Sequence, residues 1–201
     1  MAQTFRRDKQ GERRPKPSLL LRTLTPEEKR ARRLALKDVV FTREGVWFLY
    51  REAHSCLDIL FEHAANLPFS TIAQDLPGAS HGSVRNQMVH VLSTEAAWVG
   101  DLQSKPVASW RNGDFPDLQS LVDAKSRVAG ETTRYIDSLT QSELNRPLAN
   151  KPKQWVGPLR SPAFILLHVV THAFHHKGQM AMMFRLLGHP VGDTDLQRES
   201  A

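Results

Sequence analysis

The chain has 201 residues, a composition ordinary for a globular protein and a net charge of +6, enough for one domain with a proper core and an appended segment. No apolar run approaches the ~20 residues needed to span a bilayer, which excludes a membrane-spanning helix. The single Cys56 excludes an internal disulfide and a thiolate metal cluster, and the cytoplasm is the default compartment.

The positive charge is local. Up to Asp38 there are 12 Lys/Arg against 5 Asp/Glu, whereas the remainder holds 15 against 16. The opening "MAQTFRRDKQGERRPKPS" is polar, contains two prolines and has no hydrophobic period, so it reads as extended or disordered. Only "LLL" at 19–21 follows its paired arginine, too short for the core of a signal peptide, which argues against export. "LTPEEKRARRLALKDVV" has helix-start chemistry in Thr25, Pro26 and Glu28, predicting a short helix near 26–38. Residues 1–41 are therefore a basic extension, partly disordered, and residues 42–201 the folded domain.

Trp47, Tyr50, His54, Leu57, Phe61 and Ala64 recur at spacings of three and four, which predicts a helix over about 43–66, ended by Pro68. "FSTIAQDLPGASHGS" is a turn-rich connection closing on Ser83, the cap of a second helix to about Gln103. Pro116 and Asp117 open a third helix to roughly Leu139. Four prolines and Gly157 between Pro147 and Pro162 make a long crossing loop, and such loops are often functional. Ser161 and Pro162 start the last helix, which Gly188 ends ahead of Pro190. Four long helices with no convincing strand or repeat give an all-α fold, a four-helix bundle with a long loop before its last helix.

That last helix carries "HVVTHAFHHKGQM", with four histidines in nine positions. At 100° per residue, His172 and His176 lie about 40° and 80° from His168, on a face shared with Ile165 and Met183. His168 and His175 drift toward a wetter arc. Two imidazoles at i and i+4 can converge on one cation. Two readings stand open: hydrogen-bonded core histidines, or a ligand pair. The "HExxH" glutamate is absent, since positions 173 and 174 are Ala and Phe, which argues against zinc proteolysis. In the second helix His90 sits at the margin of the apolar arc, placed to supply a third ligand. Glu95 lies about 140° around from it, a buried, hydrogen-bonded carboxylate rather than a ligand to the same ion. His54 and His63 differ by half a turn, so at most one faces inward. His81 and His189 read as plain loop residues. Met180, Met183, Trp98 and Trp155 fit either a pocket lining or ordinary core.

"GSVRNQMVHVLSTEAAW", "FPDLQSLV" and "LLHVVTHAFHHKGQMAMMFRLLGHPVGDTDL" together resemble the DinB/YfiT-like superfamily, over about 43–197. The resemblance implies a four-helix bundle, commonly dimeric, with a divalent metal held by one histidine of the second helix and an H-x-x-x-H pair of the last. By position these are His90, His172 and His176. "HHKGQ" matches the usual "HHRGQ" with Lys177 for arginine. The first helix departs from the family pattern at "YREAHS", where His54 and Ser55 stand.

Three neutral imidazoles leave a zinc, nickel or iron ion with open positions, the arrangement of a catalytic site. The resemblance implies enzymes that transfer or isomerise with low-molecular-weight thiols on small electrophilic substrates, or hydrolases, acting in stress response or detoxification. No catalytic or cofactor-binding residue is assigned. Two alternatives come from other classes. A nucleic-acid-associated protein would use the basic tail, but the tail lacks interleaved aromatics and a recognition motif. A non-catalytic homodimeric scaffold would use a further apolar arc of the last helix, comprising Leu166, Val170, Phe174, Ala181 and Phe184.

Overall fold

The computed structural model describes residues 25–28, 40–106, 109–149 and 161–195. The chain divides into two units, residues 1–38 and 39–201. Of the first, only the turn at 25–28 is described. There the Thr25 hydroxyl accepts from the Glu28 amide at 3.1 Å while the Glu28 carboxylate accepts from the Thr25 amide at 2.8 Å, a reciprocal cap. The rest of the expected helix near 26–38 lies outside the described residues.

Four long helices build the second unit: α1 (Arg43–Ala65), α3 (Val84–Leu102), α4 (Leu118–Ser138) and α6 (Pro162–Leu186). Each begins where a side chain satisfies an orphan amide of the first turn. Thr42, Ser83, Asp117 and Ser161 accept from Gly45, Asn86, Ser120 and Phe164. Gly188 follows α6 with φ of 84°, the left-handed conformation that ends helices at little cost for glycine. The expected boundaries therefore hold to within a residue or two.

Two short helices were not anticipated: α2 (Phe69–Ala73) in the connection after α1, and α5 (Gln141–Asn145) after α4. α2 buries Ile72 and α5 buries Leu144. Single apolar anchors of this kind leave no periodic trace in so few residues. Most of the long loop before α6, residues 150–160 and Trp155 with them, lies outside the described residues.

α1 and α3 each pack against both α4 and α6, and the core fills the space among the four. Leu57, Leu60, Met88, Leu92, Leu121, Ile136, Leu166 and Phe184 are fully buried in it. The second apolar arc expected to face a partner is corrected here. Leu166, Val170 and Phe184 are core residues of the same chain and Phe174 packs on them. A helix flanked by two neighbours and crossing the bundle interior buries more than one stripe. Among the described residues, the large apolar side chains left exposed are Val40, Phe48, Met182 and Leu186. No helix among the described residues is long and apolar enough to cross a membrane.

Candidate metal centre

α3 and α6 are neighbours, and their contact brings His90, His172 and His176 to one point. Nε2 of His172 lies 3.1 Å from Nε2 of His90 and 3.0 Å from Nε2 of His176. Each of the three residues offers a ring nitrogen within 4.8 Å of the others, a grouping that can hold a metal ion. His176 is buried, whereas His90 and His172 are half-buried.

Hydrogen bonding alone does not account for this convergence. An imidazole nitrogen carries one proton or one in-plane lone pair, never both. Nε2 of His172 therefore cannot make a full linear hydrogen bond to both ring nitrogens at 3 Å. Ligands about 2.0 to 2.1 Å from a common ion stand about 2.8 to 3.4 Å apart for octahedral to tetrahedral angles. The two separations from His172 fall in that interval and the third pair lies within 4.8 Å, so the residues fit an ion.

Electrostatics keep the lone pairs free. Burial, reinforced by His81 and His176, pushes the His90 ring down to about 4. Burial and the neighbouring imidazoles push His172 to about 3. His176 is lowered as well, by burial first, against an opposing hydrogen bond to Gln179. Rings whose affinity for protons is lowered in this way are set up for another cation.

The far side of His176 is held by a polar chain that sequence reasoning did not find. Nδ1 of His176 donates to Oε1 of Gln179 at 2.8 Å, which leaves Nε2 as the bare nitrogen. The same oxygen accepts from Nε2 of Gln87 at 2.6 Å, and Nε2 of Gln179 donates to Nε2 of His175 at 2.9 Å. Gln87 also touches Nδ1 of His176 directly. Gln179 stands three residues after His176, so helix spacing could have pointed to it. Gln87 comes from the other helix and carried no such signal.

The remaining histidines divide clearly. His168 is half-buried with its ring edge-on to Trp98 at 5.2 Å, and burial lowers its pKa. His175 is exposed beside Gln179. His63 packs against Phe184 at 4.8 Å and reaches the His189 carbonyl at 2.9 Å. His54 is the inward-facing histidine of α1. Its Nε2 donates to Oε2 of Glu95 at 2.9 Å, while Tyr50 and Thr132 donate to Oε1 at 2.7 Å each. Burial raises the Glu95 pKa, but His54 and the two hydroxyls outweigh it and the net shift is downward. Glu95 thus ties α1, α3 and α4 together as a hydrogen-bonded carboxylate, as its helical position indicated. Trp98 packs with Ile165 and Val169, and Met180 and Met183 belong to the main core. His81, read as a plain loop residue, instead stacks on His90 with ring centroids 3.9 Å apart and planes 21° from parallel.

The DinB family model matches residues 43–201, a span that contains all three clustered histidines. No curated protein matches the chain.

Proposed function

The chain belongs to the DinB family, and on that premise we propose that it is a metal-dependent enzyme holding a divalent transition ion on Nε2 of His90, His172 and His176. The observation that carries this reading is the approach of three imidazole ring nitrogens, one from each histidine, to one point. Zinc, nickel and iron all suit a set of imidazoles. When bound with three protein ligands, such an ion supplies a Lewis acid with positions open to water or a thiolate. Here the protein's part is to keep the three rings neutral and, through the accepting oxygen of Gln179, to hold the His176 proton on Nδ1. The reaction class that fits is transfer of a low-molecular-weight thiol to a small electrophile, or hydrolysis, in stress response or detoxification.

Metal analysis of freshly purified protein beside a His172→Ala/His176→Ala double variant tests the site. About one ion per chain in the wild type and none in the variant is the expected result. A wild type that takes up no zinc, nickel or iron would remove the reading. A screen of thiols against electrophilic acceptors then addresses the reaction.

We also propose that the protein is a homodimer. Val40 and Phe48 are exposed beside an apolar groove between α1 and α6 lined by Phe41, Val46, Leu49 and Leu167. An open apolar face of this kind favours association with a second copy. Light scattering coupled to gel filtration checks it, with a monomer at high concentration as the contrary result.

A further inference from the structure

We propose that His81 is a positioning residue of the three-histidine centre, offering a ring N–H to a small anion bound at an open position of the ion. This rests on the metal reading above and adds a residue that the family match does not assign.

His81 is placed by its turn. The segment from Leu76 to Ser83 is closed by Leu76 N–H to the Gly82 carbonyl at 2.7 Å and Ala79 N–H to the Leu76 carbonyl at 3.0 Å. The carbonyl of His81 accepts from Nδ2 of Asn86 at 2.9 Å, and the guanidinium of Arg85 holds the same amide through its oxygen. Within this frame His81 adopts φ of 59°, a left-handed conformation uncommon for a residue with a side chain. Such outliers persist where the surroundings over-determine them, and they cluster at functional sites.

The outcome is a ring on the solvent side of the cluster. His81 is exposed, whereas the rings it contacts are half-buried or buried. It lies face to face with His90 and edge-on to His176, with centroids 5.9 Å apart. It is not one of the three residues whose ring nitrogens lie within 4.8 Å of one another, so it stands outside the ligand set. A neutral imidazole has one N–H to donate. An anion on the ion is the acceptor that this position would meet.

Cobalt(II) and azide are the probes, because cobalt absorption reports both loading and anion binding. Wild type, His81→Gly and His81→Gln are loaded with cobalt and titrated with azide, with circular dichroism confirming the fold. Glycine accepts a positive φ without strain, so the turn survives loss of the ring. His81→Gly should bind cobalt within about threefold of the wild type and bind azide about tenfold more weakly, a loss of about 1.4 kcal/mol. Glutamine, which keeps an N–H donor, should restore part of that loss. Equal azide affinity in wild type and His81→Gly overturns the proposal. So does a loss of cobalt affinity as large as that of His90→Ala, which would make His81 a ligand. A wild type that binds no cobalt overturns the metal reading itself, and that result appears before azide is added.

Discussion

Gln179 Oε1 lies 2.8 Å from Nδ1 of His176, so the ring nitrogen facing away from the cluster carries the proton and the one facing it does not. Removing that acceptor frees the tautomer and the ring orientation without deleting a ligand. Gln179→Ala should weaken metal affinity about 10- to 100-fold, the usual range for partners behind a ligating histidine. His176→Ala should cost more. Competition with a chromophoric chelator measures both, and an unchanged affinity in Gln179→Ala would separate the amide from the site.

Acid should destabilise the metal-free protein through the same rings. His90 and His172 are held at about 4 and about 3, below the ordinary histidine value. A depressed folded pKa means that the unfolded chain binds more protons between the two values, so stability falls as pH falls. The contribution is fully present above about pH 6.5 and is lost progressively toward pH 4 and below. Urea midpoints across that window, for wild type and His90→Gln, give the test. The variant should show the shallower slope. Both rings are partly exposed, which moderates the slope in each protein.

The buried carboxylate of Glu95 has three donors from two other helices. Glu95→Ala leaves those donors without an acceptor and should destabilise the fold by about 3 to 5 kcal/mol. Tyr50→Phe, which removes one hydrogen bond to a charged group, should cost about 1.5 to 3 kcal/mol. Metal uptake by folded Tyr50→Phe should match the wild type. Loss of the ion in that variant would connect the network to the centre and contradict its structural assignment.

Helix caps of unequal geometry should have unequal effects. The Asp117 carboxylate accepts from Ser120 N–H at 2.8 Å, whereas Ser161 Oγ accepts from Phe164 N–H at 3.4 Å. Asp117→Ala should therefore cost about 1 to 2 kcal/mol and Ser161→Ala about 0.5 kcal/mol. Chemical denaturation reads both, and a larger loss from Ser161 would reverse the ranking that the distances imply.

The four long helices, their caps and the inward faces of His172 and His176 were legible in the sequence. A 3.6-residue period, a capping side chain and a terminating glycine act between residues a few positions apart, so local order carries them. The same arithmetic separated Glu95 from His90 on α3. His90, at the margin of the apolar arc of α3, was named as a third partner from its helical position, and the resemblance to DinB proteins implied the same residue. What tertiary structure alone decided is how α3 is rotated against α6. That rotation sets whether Nε2 of His90 comes within 3.1 Å of Nε2 of His172, 82 residues along the chain. It also places Gln87 behind His176 and the turn of His81 over His90. These contacts depend on packing between helices and on one left-handed backbone position, neither of which leaves a periodic mark in the sequence.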